Sequence, residues 1–250
     1  LEFVKQFFEI MNKLSDLSTG VQPTWCPGCG NYLVLAAIKK AIGELNLEPK
    51  DVVATYDIGC AANMVNNLNV CGFATLHGRS IPVAVGVKMA NPKLTVIAQG
   101  GEGGIVTEGG NHLIHAAQRN DDITVILNNN YVFALTTGQT SAATPKGLKT
   151  RSTPEGNPFE PLSAIDLAAV AGASFLARTQ SSDLAQTTEI LKSAIRHKGF
   201  SLVEIIQPCV IWLKDYPEEN KSEKYQEKPF KDIKDFFNKK NYLGILYEKI

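Results

Sequence analysis

The chain has no net charge to spend on a polyanion: 25 basic side chains balance 25 acidic ones over 250 residues. Such a balance leaves no broad electrostatic footprint for nucleic acid or an anionic membrane, so neither partner is expected. No apolar run reaches the roughly 18 residues that a membrane span needs. The first residues lack the basic stretch and apolar core of an export signal, and a cytoplasmic chain is expected. Cysteines number five, few and odd, which argues against a disulfide framework and towards metal or redox chemistry. Repeats and low-complexity tracts are missing too. What remains is 44% hydrophobic and 20% charged, an ordinary globular mixture sufficient for one domain with a sizeable core.

Periodicity gives the organisation. Residues 1–20 read as an amphipathic helix, with Phe3, Phe7, Ile10, Met11 and Leu14 at helical spacing and Gly20 closing it. A second helix is expected over 31–45, with Asn31 as its N-cap. Short β-branched stretches at 51–56, 94–98, 123–127 and 202–206 read as buried parallel strands. Helical stretches at 79–90, 109–119, 163–171 and 183–198 alternate with them. That alternation predicts an α/β fold, a doubly wound parallel sheet covered on both faces. Two long stretches rich in Gly, Asn and Thr, at 59–78 and 131–162, are of a length that in compact domains is usually functional. The tail 214–250 carries nine lysines and eight acids interspersed with Phe230, Ile233, Phe236, Phe237 and Leu243. It reads as a charged helical extension that packs its aromatics on the body or on a partner.

Two constellations carry chemistry. The run Gln99-Gly100-Gly101-Glu102-Gly103-Gly104 follows a strand and precedes a helix, a place where phosphate can approach backbone N–H groups. It fits neither the dinucleotide fingerprint nor the P-loop. The next strand ends in Asn128-Asn129-Asn130. An acid on the first loop and an amide on the second can hold a hard cation such as Mg²⁺, which bridges to a diphosphate. The plainer reading is a loop of turn-forming asparagines. The second constellation is Cys26-Pro27-Gly28-Cys29 with Cys60 and Cys209, four thiolates from three segments able to close on zinc or a [4Fe–4S] cluster. A lone C-x-x-C would leave zinc, a redox disulfide and chance equally open. Cys71 reads as a small buried side chain. His112 and His115, three apart, read as packing or capping residues, and Arg79 as a phosphate neutraliser or a helix-entry ion pair.

An acid within Gly-x-Gly, 25 residues (104–128), then Asn-Asn resembles the thiamine diphosphate motif. With WCPGCG at 25–30, DIGC at 57–60, TLHGR at 75–79, VGVKMANP at 85–92, GGNHLIHAAQRNDDITVI at 109–126 and TGQTSAATPKG at 137–147, the chain resembles the β subunit of 2-oxoacid:ferredoxin oxidoreductases over about 20–213. The resemblance implies a single thiamine diphosphate-binding domain at 21–213 between an N-terminal helix (1–20) and a C-terminal extension (214–250). It implies a [4Fe–4S] cluster on Cys26, Cys29, Cys60 and Cys209, and Mg²⁺ on Glu102, Asn130 and the carbonyl of Val132. Ile58, Gly59, Cys60, Ala61, His77, Gly101, Gly103 and Leu135 match cofactor-contacting positions. A core histidine is the plainer reading of His77.

The implied reaction is oxidative decarboxylation of a 2-oxoacid to an acyl-CoA, with electrons leaving through the cluster to ferredoxin. The chain has room for only the diphosphate half of a thiamine site. A heterodimer is therefore implied, with an α subunit carrying the pyrimidine-binding domain, and CoA and the 2-oxoacid as small-molecule partners. Departures from the family pattern are Glu102 and Gly104 where aspartates are usual, Ala61, Ala62 and Asn63 after the cysteine, Ala74, and Ala142. They keep open a cluster- or zinc-stabilised electron-transfer or structural subunit with weakened thiamine binding; a cluster-free thiamine-dependent decarboxylase is the other alternative, against which the four cysteines argue.

Overall fold

The computed structural model describes residues 15–214, 224–226, 228–236 and 242–249. Most of the helix expected over 1–20 lies outside the described residues, as does Phe237 of the tail.

Helix α1 (Asn31–Glu44) leads into strand β1 (Val52–Tyr56), the short helix α2 (Gly59–Ala62) and strand β2 (Cys71–Ala74). Helix α3 (Ser80–Ala90), strand β3 (Thr95–Gly101), a π-helical turn (Gly103–Glu108), helix α4 (Gly110–Arg119) and strand β4 (Thr124–Asn129) follow. A small hairpin of β5 (Val132–Phe133) and β6 (Gln139–Thr140) opens the second long loop. Helix α5 (Ala164–Ala171), strand β7 (Phe175–Gln180), helix α6 (Leu184–Arg196) and strand β8 (Ser201–Ile206) complete the alternation. Strands β9 (Lys224–Tyr225) and β10 (Tyr242–Glu248) come from the tail. The caps are readable in the sequence. Ser163 Oγ accepts from Asp166 N–H at 3.2 Å to start α5, and Asp183 Oδ1 accepts from Gln186 N–H at 2.9 Å to start α6.

The large sheet runs β2-β1-β3-β4-β8-β7-β10-β9. Every pairing in it is parallel except β7 with β10. Alternate residues of the strands feed two cores. Ala54, Ile97, Ile126 and Val203 pack under α1 and α6, while Val96, Val125, Leu127 and Leu202 pack under α3, α4 and α5. Two faces covered by helices is the doubly wound α/β fold that the alternation predicts. The order reverses between β1 and β3, so a crevice is expected beyond their carboxyl ends.

Three expectations need correction. The described part of the tail is not a helical appendage. Tyr242–Glu248 becomes a strand antiparallel to β7, with Leu243 and Leu246 buried and Phe230 stacked edge-on to Tyr242 at 5.8 Å. Alternation of Leu243, Ile245 and Tyr247 with Gly244, Leu246 and Glu248 suits a strand with one bulge, and the unpaired edge of β7 supplies the partner. Asn31 is not the N-cap of α1. Gly30 holds that place, and the Asn31 side chain is buried, its Oδ1 accepting from Asn128 Nδ2 at 2.8 Å. Cys71 is exposed, because β2 lies at the outer edge of the sheet with its residues open to solvent.

Candidate functional site

The acid-to-amide spacing works because β3 and β4 are neighbours in parallel register. Gly101 pairs with Asn128, which puts Glu102 and Asn130 side by side just past the strand ends. Glu102 Oε2 accepts from the Asn130 N–H at 3.3 Å, and Asn130 Oδ1 accepts from the Val132 N–H at 3.1 Å. Glu102 is 1% exposed, and its Oε1 has no hydrogen-bond partner among the described residues. Burial pushes the carboxyl up to about 7, against the pull of its own backbone N–H, the Ser141 hydroxyl and the Asn130 N–H. A buried carboxylate oxygen without a partner costs several kcal/mol unless it finds a proton or a cation. This donor set fits a hard divalent ion.

Around that carboxylate lies a cavity of about 110 Å³ off the carboxyl ends of β1, β3 and β4. It collects Ile58, Gly59, Cys60 and Ala61 from the turn after β1, His77 from the loop before α3, and Gly101 and Gly103 from the glycine run. Asn130, Val132 and Leu135 close it from the β4 side, so each residue matched to the cofactor or to Mg²⁺ borders one space. His77 is no core histidine. Its side chain is 68% exposed, and its Nδ1 lies 3.2 Å from Glu108 Oε1. Arg79 Nη1 donates to the Gly78 carbonyl at 3.3 Å rather than to a carboxylate. His112 is half-buried and His115 is exposed beside Gln118 on α4. Neither His112, His115 nor Arg79 lines the cavity.

Sequence reasoning missed two residues here. Asp57 is 3% exposed and accepts from Gly78 N–H at 3.0 Å, Ser80 N–H at 3.3 Å and Ser80 Oγ at 2.8 Å, so one carboxylate pins the His77 loop and the start of α3. Phe133 packs against Gly103, where a Cβ would meet the ring at 2.4 Å. The DIGC motif was the only sequence signal for Asp57.

Asp57 also explains Gly104. A Cβ at 104 would stand 2.1 Å from Asp57 Oδ1, so this position admits no side chain in this chain. Gly104→Asp, which restores the residue usual in the resembling family, should therefore destabilise by at least about 1–3 kcal/mol through overpacking. Thermal unfolding reads it, and an unchanged midpoint would mean that Asp57 yields freely.

The four cysteines gather beside this cavity. Cys29 N–H donates to the Cys26 carbonyl at 3.0 Å with Pro27 and Gly28 between them, and Gly28 sits at φ +80°. Pro then Gly in the middle, with positive φ on the Gly, is a type II turn, the reason this loop is C-P-G-C. Trp25 Nε1 donates to the Cys60 carbonyl at 2.7 Å, tying that turn to the Cys60 segment. Burial pushes the Cys60 thiol up to about 11, and Cys29, Cys209 and Cys26 add to the push, so the other three sulfurs lie near Cys60. Burial likewise raises Cys29, with Cys209 and Cys26 adding to it. Among the described residues no group of three or more His, Cys, Asp or Glu side chains is arranged round a single ion. Trp212 joins the two regions. Its N–H points at Cys209 Sγ, 3.5 Å away, and its Nε1 donates to the Ala134 carbonyl on the cavity wall at 3.0 Å. A more open hollow of about 370 Å³ shares Val132 with the first and carries Lys149, Arg151 and Trp212.

Residues 56–205 match the thiamine pyrophosphate enzyme C-terminal TPP binding domain. Over 194 residues, 78% of this chain, the sequence is 43% identical to 2-oxoacid:ferredoxin oxidoreductase 1, subunit beta, of Aeropyrum pernix, and it spans 61% of that relative's length. It is 38% identical to 2-oxoglutarate synthase subunit KorB of Archaeoglobus fulgidus, over 77% of this chain and 72% of the relative. A solved structure of the 2-oxoglutarate:ferredoxin oxidoreductase from Magnetococcus marinus, with 2-oxoglutarate, coenzyme A and succinyl-CoA bound, matches with a TM-score of 0.91. That match is 29% identical and covers 95% of this chain and 85% of that one.

Proposed function

The chain belongs to the family of 2-oxoacid:ferredoxin oxidoreductase β subunits, and from that premise we propose that it forms the diphosphate-binding half of an enzyme oxidising a 2-oxoacid to an acyl-CoA. The observation that carries the reading is the buried, part-unpartnered carboxylate of Glu102, set in a glycine-walled cavity beside four thiols.

In this reading Glu102, Asn130 and the Val132 carbonyl would hold Mg²⁺, and Gly59, Gly101 and Gly103 leave the backbone open to a diphosphate. Thiamine diphosphate, when bound, would supply the nucleophilic carbon and the electron sink for decarboxylation. Asp57 holds the His77 loop against the cavity mouth, and Phe133 forms part of the cavity's apolar wall. Cys26, Cys29, Cys60 and Cys209 would hold the cluster, which would supply one-electron transfer towards ferredoxin. Lys149 and Arg151, in the adjoining hollow, suit the anionic CoA.

A partner chain is part of the reading. The cavity is smaller than the roughly 300–1,000 Å³ of a complete cofactor pocket. Leu135 lines it yet is 55% exposed, and Leu76, beside His77 in the chain, is 79% exposed, apolar surface suited to a second chain that closes the site.

Anaerobic purification with the partner, followed by iron, zinc and thiamine analysis, tests the reading. About four irons and one thiamine per chain support it. Iron without thiamine would favour an electron-transfer or structural subunit, and thiamine without iron a cluster-free decarboxylase. Serine at Cys26, Cys29, Cys60 or Cys209 should remove the iron, whereas Cys71→Ser should keep it. Full iron in Cys26→Ser would sink the ligand assignment.

A further inference from the structure

Gln207 follows β8 and is 3% exposed. Its backbone N–H donates to the Asn129 carbonyl at 2.8 Å, continuing the ladder between β8 and β4. The two ends of its amide are used differently. Oε1 accepts from Asn128 Nδ2 at 3.3 Å, and Nε2 donates to Cys29 Sγ at 3.5 Å. Asn128 is itself fully buried and fixed, since Nδ2 also donates to Asn31 Oδ1 at 2.8 Å and Oδ1 accepts from Gln99 Nε2 at 3.4 Å. An amide's orientation is assigned from its network, and here Gln99 Nε2, which also donates to Met64 Sδ at 2.8 Å, sets the direction of the chain. A flipped Gln207 would set its NH₂ against that of Asn128 and its carbonyl oxygen against the sulfur.

Room for this contact is built in. A Cβ at Gly30 would stand 2.6 Å from Gln207 Cγ and 2.4 Å from Ser181 Oγ. The second glycine of WCPGCG thus lets a buried donor reach the preceding cysteine.

We infer that Gln207 sets the reduction potential of the cluster by donating to the Cys29 sulfur, an inference that rests on the proposed ligation by Cys29. An N–H···S bond draws density from the ligating sulfur and stabilises the more negative, reduced state. Gln207 is therefore a tuning residue that ligates nothing. Through Asn128 it also connects the cysteine segment to the strand end that leads into Asn129 and Asn130.

The test is an EPR-monitored redox titration of the anaerobically purified complex, with iron measured on the same samples. Gln207→Met keeps the side-chain length and removes the donor. The expected result is full iron and a lower midpoint, equivalent to about a tenfold change in the reduced-to-oxidised ratio, or about 59 mV for one electron. Asn128→Ala leaves Gln207 in place and frees its amide to rotate, and should shift the midpoint the same way by less. Full iron with an unmoved midpoint in Gln207→Met overturns the inference. Should Gln207→Met lose its iron, the midpoint of Asn128→Ala decides on the same terms. A wild-type complex without iron overturns the cluster reading, and the tuning with it, an outcome that the iron assay separates from an unmoved potential.

Discussion

Arg178→Met should cost the chain about 3–5 kcal/mol of unfolding free energy at pH 7, the range for breaking one side of a buried ion pair. Arg178 and Glu204 are 8% and 4% exposed, on neighbouring strands β7 and β8, with Nε donating to Oε2 at 2.7 Å. Burial works against the guanidinium's charge, but Glu204 overcomes that and holds Arg178 above its ordinary value. Without Arg178 the carboxylate keeps the Asn129 Nδ2 bond at 2.8 Å but loses its counter-charge. Arg178→Met with Glu204→Gln should return most of the loss, because the glutamine carbonyl still accepts from Asn129 while the stranded charge is gone. Urea unfolding reads both. A loss under about 1 kcal/mol in the single variant, the range of surface pairs, would mean that water reaches Glu204.

The same pair reaches the cavity. Asn129 Oδ1 accepts from the Tyr131 N–H at 3.1 Å, and Tyr131 holds φ +66°, an uncommon conformation for a bulky side chain. Arg178, Glu204 and Asn129 thus over-determine the turn that carries Asn130 and Val132. Weakened thiamine diphosphate binding should accompany the stability loss in Arg178→Met.

Arg178 is also why β7 was illegible. An arginine, a threonine and a glutamine in a six-residue stretch break the apolar run that marks β1, β4 and β8, and the facing Glu204 supplies the charge that lets the arginine be buried. Short β2 carries no signal for the opposite reason: at the sheet edge its residues are exposed, so no pattern is imposed on it. Strand β10 lies in a stretch dense with lysine and acid, whose composition masks a seven-residue strand that joins β7 on one side and β9 on the other. Elements whose burial is local were readable, and those defined by a neighbour on another strand were not.

The site divides in the same way. Glu102 and Asn130 could be paired from spacing alone, because one helix and one strand separate two adjacent strand ends. The four cysteines were found by residue type. Asp57, Phe133 and Gln207 carry no such mark. Their roles come from distances to Ser80, Gly103 and Cys29, which no spacing rule encodes. Asn31 misled because asparagine before an apolar helix suits a cap, whereas here a glycine turn starts the helix and the amide points inward.

Glu102→Gln should abolish both the Mg²⁺ dependence of thiamine diphosphate binding and a pH dependence of stability in the cofactor-free chain. Its carboxyl lies at about 7 when folded, against an ordinary 4.5, with burial as the leading cause. A folded value above the unfolded one means that the folded state holds the proton more tightly. That stability is fully present below pH 4.5 and is lost as pH rises through 7, about 3 kcal/mol in all at 1.36 kcal/mol per unit. Glutamine carries no such proton, so its curve should lack this slope. A cation aimed at Oε1 must displace the proton, so wild-type affinity for thiamine diphosphate with Mg²⁺ should climb between pH 6 and pH 8. Loss of an outer partner of a metal ligand costs about 10–100-fold, and removing the ligand's charge should cost at least that. Calorimetric titration at three pH values separates the cases. If wild type and Glu102→Gln bind alike at pH 8 with Mg²⁺ present, the buried carboxylate is a structural acid, and the cation sits elsewhere.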